Sequence, residues 1–565
     1  MKKNELKRQH IIQLVLSLVI LSLVVFISSK AFFRVDLTSE KRYTLSPETK
    51  TILTHINDVV YVKVYLEGDL PVGFKKLHNI IRETLDEFRV YAKTNVQYEF
   101  INPSESSDTK VRESQYADLA NKGLKEVNIK SHDKEGGESE KKIFPGALIT
   151  YNGNEIPVGL LRNNTTLTAD ENLNNSMQVV EYELIKGIFN LTNRNIQTIG
   201  FLDGQGELSR MQVADIAREL SNYYKVDGVT ISGRYNALDS FKAIIVAKPT
   251  KQFNEQDKFV LDQYIMNGGK VLWFVDEVNV NTDSLANGST VGFINDLNIE
   301  DQLFTYGVRI NPNLVQDVQC NKLPINVGTS ADQPRLVRAP WLYYPLISPL
   351  VDHPVTGNLN LIWAKYASQI DTLAISNVKK TVLLKTSSNT KLVKAPLYIR
   401  LSEVKNNLDH SEFNKPNQCI AVLLEGRFPS LFRNRQVKDV LPGDVHSLKA
   451  ESITTSMIVV ADGDLIANDV RMSPKGPMIT ALGFDKYSQQ TFGNKEFVVN
   501  ALDFLTNQSG LMTLRSKEFK LRLLDKTRIR DERFTWQMIN TLLPVFLVIV
   551  FGIYYNSIRK KKYAK

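Results

Sequence analysis

The sequence lacks several features that mark common classes of protein. Two cysteines in 565 residues, Cys320 and Cys419, are too few for a disulfide framework, and the sequence leaves open whether they pair or stay buried thiols. The histidines form no HxH or HExxH pattern, so no metal site is predicted. Neither a GxxxxGK[ST] phosphate loop nor a GxSxG nucleophile elbow occurs. We therefore expect no cofactor and no serine hydrolase or ATPase activity.

The body of the chain also lacks an excess of charge of one sign. The formal net charge is +9, but residues 1–10 carry four basic residues against one acidic residue, and residues 559–565 carry five basic residues and no acidic one. The two tails together account for almost all of the excess. A near-neutral body has no electrostatic footprint for a phosphate backbone, so nucleic acid is excluded as a partner.

Two long runs without charge are present instead. Residues 11–29 and 535–557 carry no charge, and residues 11–30 and 535–557 are each predicted to be a transmembrane helix, because about 20 apolar residues span a bilayer. Whether the first run is cleaved as a signal peptide stays open, although it is longer than the apolar core of about 7–15 residues typical of such peptides. The basic tails 1–10 and 558–565 are predicted to be cytoplasmic by the positive-inside rule, which places the large body on the other side of the membrane.

Residues 31–175 are predicted to form a thioredoxin-like α/β domain. An alternating strand from Val59 is followed by a helix over 74–93, a second strand, a shorter helix and a hairpin around the Asn152-Gly153 turn. This β-α-β-α-β-β order is that of the thioredoxin-like architecture. The region contains no CxxC motif, so the domain is predicted to be a scaffold, and residues 130–142 are predicted to be a polar loop.

Residues 176–510 are predicted to form a larger α/β domain with a parallel, Rossmann-like sheet. The predicted strands include 196–202, 241–249 and 270–279, and the predicted helices include 209–224, 253–269 and 494–506. Repeated alternation of strand and helix is typical of a parallel sheet with helices on both faces. Residues from about 300 to about 450 are predicted to be an elaboration inserted into, or attached to, this sheet.

Residues 511–534 are predicted to be a basic juxtamembrane stalk. The stretch 514–533 carries eight basic and four acidic residues. It is either a contact with lipid head groups or a membrane partner, or an ordinary solvated flank, and the sequence leaves both open.

Acidic residues follow several predicted strands of the second domain. In IGFLDGQGELS (199–209), two glycines lie between acidic residues, but Ser209 stands where a dinucleotide fingerprint needs its third glycine. Open α/β sheets bind ligands at the carboxyl ends of their strands, so these loops are candidate binding positions. The alternative is that the acidic side chains only cap helices. The candidate binding residues are Asp203, Gly204, Gln205, Gly206, Glu207, Asp276, Asp462 and Asp464, and no residue is assigned a catalytic role.

Three segments together carry a resemblance to a known family. RVDLTSEKRYTLSPETKTIL (34–53), IGFLDGQGE (199–207) and the LRSKEFKLRLLDK stretch before the last apolar run resemble the GldG family, the gliding-motility-associated ABC-transporter auxiliary proteins of Bacteroidetes. The resemblance implies a periplasmic body held in the cell inner membrane. It also implies a GldF-like permease and a GldA-like ATPase as partners. The second domain is similar to the non-catalytic, glutamine-amidotransferase-like modules shared with intraflagellar transport proteins.

These observations predict a non-enzymatic, membrane-anchored auxiliary subunit of an ABC transporter complex required for gliding motility. A chain with two membrane helices and no ATP-binding loop cannot act as a pump alone, so a binding or coupling role is expected. Two alternatives stay open: a periplasmic hydrolase or transferase that uses the carboxylates at the strand ends, and a structural tether to the cell wall.

Overall fold

Helices and strands form where apolar residues recur with a matching period, and they alternate through most of the chain. The computed structural model describes residues 2–30, 44–132, 138–162, 164, 167–193, 196–330, 333–350, 353–405, 409–435, 448–474, 476–506, 510–511 and 526–563. The chain divides into two units, residues 1–517 and residues 518–565. The DLTSEKRY part of the first family motif and most of the predicted stalk, residues 512–525, lie outside the described residues.

The described elements are numbered in chain order. The helices are α1 Lys2–Lys30, α2 Pro47–Thr54, α3 Val72–Ala92, α4 Thr109–Asn121, α5 Ala169–Thr192, α6 Ala214–Ser221, α7 Glu255–Met266, α8 Glu300–Tyr306, α9 Asn494–Thr506 and α10 Lys526–Tyr563. The strands are β1 Val60–Val64, β2 Val96–Phe100, β3 Val127–His132, β4 Glu138–Ile143, β5 Gly146–Tyr151, β6 Asn154–Gly159, β7 Thr198–Leu202, β8 Lys225–Val229, β9 Ala243–Ala247, β10 Lys270–Phe274, β11 Val278–Val280, β12 Ser289–Ile294, β13 Val308–Ile310, β14 Asn313–Asp317, β15 Cys320–Ser330, β16 Gln333–Ile347, β17 Ile362–Trp363, β18 Ile370–Thr372, β19 Val378–Lys385, β20 Thr390–Lys394, β21 Leu397–Arg400, β22 Cys419–Gly426, β23 Thr455–Val460, β24 Val470–Ser473, β25 Gly476–Ile479, β26 Phe484–Asp485 and β27 Gln490–Thr491.

The first sheet has the strand order β2-β1-β5-β6. Strands β1 and β2 are parallel, and β5 runs antiparallel to its neighbours β1 and β6. Helix α3 lies on this sheet because Leu77, Ile81 and Leu85 recur on one face and are fully buried. Helix α5 begins with a capping box formed by Thr168 and Glu171 and joins the same core.

The predicted loop over 130–142 is wrong in part. Strands β3 and β4 pair antiparallel from Val127 with Ile143 to His132 with Glu138, which leaves only the middle of the segment outside the described residues. The ribbon is rich in charged residues, so the alternation that signals a half-buried strand is weak in its sequence.

The second sheet has seven strands in the order β19-β22-β23-β10-β9-β7-β8. The five strands from β23 to β8 are parallel, and β22 and β19 continue the sheet antiparallel. Helices α6 and α9 cover one face, and α7 and α8 cover the other, each with its own apolar core. The α/β fold class is confirmed, and the region between about 300 and 450 contributes two strands to the main sheet.

Two predicted helices and one predicted strand of this domain are shorter in the structure. The helix predicted over 209–224 is helical only in α6, because the carbonyl of Ser209 accepts hydrogen bonds from Gln212 and Val213 in a preceding turn. The helix predicted over 253–269 is the shorter α7, which the glycines after it end. The strand predicted over 270–279 is broken between β10 and β11, and Asp276 lies in the break.

Of the described residues, one stretch is long and apolar enough to cross a membrane. It is Asp531–Lys561 within α10, judged by length and composition, and Pro544 lies inside it. The predicted first membrane segment is helical throughout α1, but its described apolar part, Ile11–Val25, is shorter than a spanning segment. A membrane helix at the carboxyl end agrees with the prediction, and the spanning role of α1 stays a prediction.

Candidate functional site

The strand order creates one crevice where a ligand could approach the sheet. From β7 the chain goes to β8 on one side and then crosses to β9 on the other, so the connections leave β7 and β9 in opposite directions. Open α/β sheets bind ligands at the carboxyl ends of strands at such a switch point. The loop that follows β7, with Asp203 at its start, lies at this position.

This loop folds on itself through two glycines and a carboxylate. One carboxylate oxygen of Glu207 accepts hydrogen bonds from the backbone amides of Gly204, at 3.0 Å, and Gln205, at 2.8 Å. Both glycines have positive φ, and a Cβ atom on Gly206 would lie 2.4 Å from the hydroxyl of Thr250. The glycines are therefore required by the turn and by its close approach to the chain beyond β9.

Gln205 occupies the crevice. Its side chain is buried, and its backbone carbonyl oxygen accepts hydrogen bonds from the backbone amides of Thr250 and Lys251 at 2.9 and 2.8 Å. Its side-chain amide donates to Asp257, in the first turn of α7, at 2.9 Å. Asp203 and Gly204 are exposed at the rim. The loop thus ties β7 to β9 and α7.

A second group of the predicted carboxylates gathers around Lys248, directly after β9. Its ammonium lies 3.1 Å from Asp276 and 2.6 Å from Asp464. The other oxygen of Asp276 accepts the backbone amide of Gly463. Lys248 also has a positive φ of 54°, an unusual backbone conformation for a non-glycine residue. Side chains from the ends of β9, β10 and β23 therefore meet here.

Asp462 holds the chain after β23 in place. One oxygen accepts the backbone amides of Asp464, at 2.9 Å, and Leu465, at 3.1 Å. The other accepts the backbone amide of Lys365 at 2.7 Å. Asp462 thus orders a short helical turn and joins it to the segment after β17.

Burial dominates the electrostatics of this cluster. It raises the pKa of Asp276 and, more strongly, that of Asp462, because a carboxylate loses its hydration there. Burial alone would lower the pKa of Lys248, but attraction to Asp276 and Asp464 raises it overall. The ammonium therefore stays protonated and holds the nearby carboxyl groups together.

The structure brings the eight predicted residues to one edge of the sheet, in two groups. Residues 203–207 form the first group, and Asp276, Asp462 and Asp464 form the second. Two further residues of the site were not predicted from the sequence: Lys248, which links the second group, and Asp257, which accepts a hydrogen bond from Gln205. Lys248 follows an apolar strand directly, as the acidic residues do, and that position was the available signal.

A small polar cavity lies beside the second group. Its lining includes Trp363, Lys365, Asp464, Asp469 and Asn494, and its volume is about 10 Å³. That space admits about one water molecule and is far below the roughly 300–1,000 Å³ typical of ligand pockets. The cavity fits a hydration site better than a substrate site.

The two cysteines are unpaired in the structure. Burial raises the pKa of both the Cys320 and the Cys419 thiols to about 12, so neither has the thiolate character of a reactive cysteine. Within the described residues, no group of three or more His, Cys, Asp or Glu side chains is arranged to hold a metal ion.

Comparison with known proteins identifies the family. Residues 197–501, which include the second sheet and both groups of strand-end residues, match the auxiliary family described as an ABC-type uncharacterized transport system. The chain belongs to this family. Its membership confirms the resemblance to GldG-like auxiliary proteins and implies a permease and an ATPase as partners. Residues 39–150 match a domain of unknown function.

Two further proteins are similar to this chain. An uncharacterized protein of Borreliella burgdorferi (strain ATCC 35210 / DSM 4680 / CIP 102532 / B31) is 20% identical over 98% of this chain and 99% of its own length. The solved structure of the mmIFT52 N-terminal domain is 14% identical, with a TM-score of 0.31 over 55% of this chain and 97% of that domain.

Proposed function

We propose that this chain is a non-enzymatic coupling subunit of an ABC transporter complex for gliding motility, with both termini cytoplasmic and its body in the periplasm. Its partners would be a GldF-like permease and a GldA-like ATPase. The first domain would be a thioredoxin-like scaffold, as its strand order supports, and the second a glutamine-amidotransferase-like module. One observation carries the coupling role: the segments next to the two terminal regions meet on helix α5.

The incoming segment is held by one carboxylate of α5. Glu181 accepts a hydrogen bond from the backbone amide of Ser46 at 2.8 Å and from the hydroxyl of Thr49 at 2.7 Å. Ser46 also caps α2, so the start of this helix is fixed to α5. Ser46 and Thr49 belong to the TLSPET part (44–49) of the motif that carries the family resemblance.

The outgoing segment is held by a cation five residues further along α5. Lys186 lies 2.5 Å from Asp503 of α9, and the hydroxyl of Tyr224 donates to the same carboxylate at 2.8 Å. Leu511 is buried in the core of the first sheet, and a Cβ atom on Gly510 would lie 3.9 Å from Glu48. The two segments therefore lie side by side.

Helix α5 also joins the two sheets. Its apolar side, with Leu184 and Ile185, is fully buried in the first core, while Lys186 reaches α9 on the second sheet. Burial alone would lower the pKa of Lys186, but attraction to Asp503 raises it overall, so the ion pair persists at physiological pH. A displacement of either segment would act on a helix that packs on one sheet and is ion-paired to the other.

The candidate residues at the strand ends support a non-enzymatic role. Asp276, Asp462 and Asp464 are engaged by Lys248 and by backbone amides, and Gln205 closes the crevice at the switch point. Asp203 and Gly204 are the exposed members, so they are the positions at which a periplasmic ligand or partner would make contact.

Co-purification with the permease and ATPase in a mild detergent tests assembly. We expect the three subunits to be recovered together, and a lone monomer would contradict the proposal. Coupling is then tested with Lys186→Met/Asp503→Asn, which removes both charges and so avoids leaving one buried and unpaired. We expect the complex to assemble but the influence of this subunit on ATP hydrolysis to fall.

The matched control is Lys225→Met, because Lys225 is largely exposed and pairs only with Asp227 on its own edge strand. It should leave ATP hydrolysis unchanged. A double variant that assembles and hydrolyses ATP like the wild type would show that α5 does not couple the two segments.

A further inference from the structure

An amphipathic hairpin projects from the carboxyl edge of the second sheet. Strands β24 and β25 pair only with each other in the described structure, with Val470 opposite Ile479 and Met472 opposite Pro477. Paired residues in an antiparallel ribbon share a face, and so do residues two apart. One face of this ribbon is therefore entirely apolar.

Apolar side chains are open to solvent on both faces of the ribbon. On the apolar face Met472 is 80% exposed and Ile479 is 38% exposed, and on the other face Met478, opposite Arg471, is 60% exposed. A two-stranded ribbon is at best marginally stable in water by itself, and scattered single apolar residues are more usual on a surface than a clustered set. The exposed apolar side chains of the hairpin are therefore typical of a surface that is covered by another apolar medium.

The hairpin is firmly attached at its base, so its exposure does not follow from a loose loop. The backbone amide of Asn468 donates to Gln212 at 2.8 Å, and its side-chain amide donates to the carbonyl of Met211 at 2.9 Å. After the hairpin, Leu482 donates to Asp215 at 2.7 Å. These contacts hold the hairpin beside Met211, whose side chain is 49% exposed.

The charge on the hairpin itself is positive. Arg471 is exposed, and no acidic residue occurs between Val470 and Thr480. Asp469, which precedes the hairpin, lies 3.8 Å from Lys365. Cations next to inserted apolar side chains are the features that bind anionic lipid surfaces. The same chain carries a helix able to cross a membrane, which keeps a bilayer at high effective concentration.

We propose that the β24–β25 hairpin is a lipid-binding element that seats the body of this subunit on an anionic bilayer surface. Met472, Ile479 and Met478 enter the boundary between head groups and acyl chains, and Arg471 pairs with phosphate. This contact is separate from the sites on α5 and does not need the permease or the ATPase.

The test uses the full chain in nanodiscs with an environment-sensitive fluorophore on Met472→Cys. The native thiols are partly buried and their pKa values are raised to about 12, so they react slowly at neutral pH, and the unsubstituted chain gives the background. The matched control is Lys110→Cys, an exposed position on the first turn of α4. Emission and quenching by doxyl-labelled lipid are compared in phosphatidylglycerol and phosphatidylcholine discs.

We expect a blue shift and doxyl quenching at position 472 in phosphatidylglycerol, weaker in phosphatidylcholine, and neither at position 110. Adding Arg471→Glu should remove the difference between the two lipids while leaving thermal stability unchanged. Emission at 472 equal to that at 110 in both lipids would overturn the proposal. A blue shift without doxyl quenching would also overturn it, because a second copy or another protein would then cover the hairpin.

Discussion

Two glutamates in equivalent positions of the two sheets respond to folding in opposite ways. Glu67 and Glu277 each lie three residues beyond the end of a strand with a parallel neighbour, β1 and β10 respectively. Burial alone would raise the pKa of Glu67, but hydrogen bonds from His78 and Gly68 and attraction to Arg82 lower it overall. Partners in space, and not the position after a strand, decide whether such a carboxyl group keeps its charge.

Glu277 shows the other outcome. Burial, with a further contribution from Glu300, raises its pKa to about 8, and attraction to Arg309 offsets only part of this. The neighbouring Asp276 faces the same desolvation but has the ammonium of Lys248 at 3.1 Å. At the ends of β9, β10 and β23, one lysine therefore supplies the compensating charge.

The largest effect should come from removing that lysine. Lys248→Met leaves Asp276 and Asp464 without their shared cation, and breaking a buried ion pair costs about 3–5 kcal/mol. We expect a loss of this order in the free energy of unfolding, measured by denaturant titration of the purified chain. Lys251→Met, at an exposed position nearby, should change it little. If Lys248→Met is as stable as this control, the charge of Lys248 does not stabilise the cluster.

Glu277→Gln should stabilise the chain at alkaline pH by a few kcal/mol, because each tenfold change in proton affinity corresponds to about 1.4 kcal/mol. The native carboxyl group binds its proton up to a pH of about 8, whereas its unfolded value is 4.5, so wild-type stability falls as the pH rises between these values. The variant should match the wild type in Tm near pH 4.5 and exceed it near pH 9. Glu83→Gln, at an exposed position, serves as the control. Equal Tm values for Glu277→Gln and wild type at both pH values would contradict this assignment.

Glu67→Gln should have the smallest effect and the opposite dependence on pH. Its carboxylate lies 2.9 Å from His78, but the side chain is 39% exposed, so solvent screening limits the loss to roughly 0–1 kcal/mol. Because the native pKa is lowered, this stability is present above the unfolded value of 4.5 and fades as the pH falls through the native value. Tm values at pH 7 and pH 3 measure it. A larger loss of Tm in Glu67→Gln at pH 3 than at pH 7 would contradict this pH dependence.

The local pattern of apolar residues was enough to predict most helices and the central strands. It failed for strands that form because a neighbouring strand offers them hydrogen bonds. Strand β8 is mostly exposed, contains Asp227 and Gly228, and exists because β7 offers it a hydrogen-bonding edge. The joining of β22 and β19 to the sheet, and the β3–β4 ribbon, were missed for the same reason. Strand propensity reflects neighbours more than the residue itself.

The candidate site divides in the same way. The acidic residues after the strands could be found because polar residues interrupt apolar runs. Gln205 and Asp257 are 52 residues apart, and Lys248 and Asp464 are 216 residues apart, so no spacing rule could join them.

The sequence by itself determined where chain segments leave water, because the period and length of apolar runs fix the amphipathic helices, the buried strands and the apolar membrane segment at the carboxyl end. The tertiary structure alone decided which buried charges have partners and that the incoming and outgoing segments meet on α5. Apolar burial is non-directional and depends on local composition, whereas an ion pair or hydrogen bond needs two groups within a few ångströms, and the packing of strands and helices sets that distance.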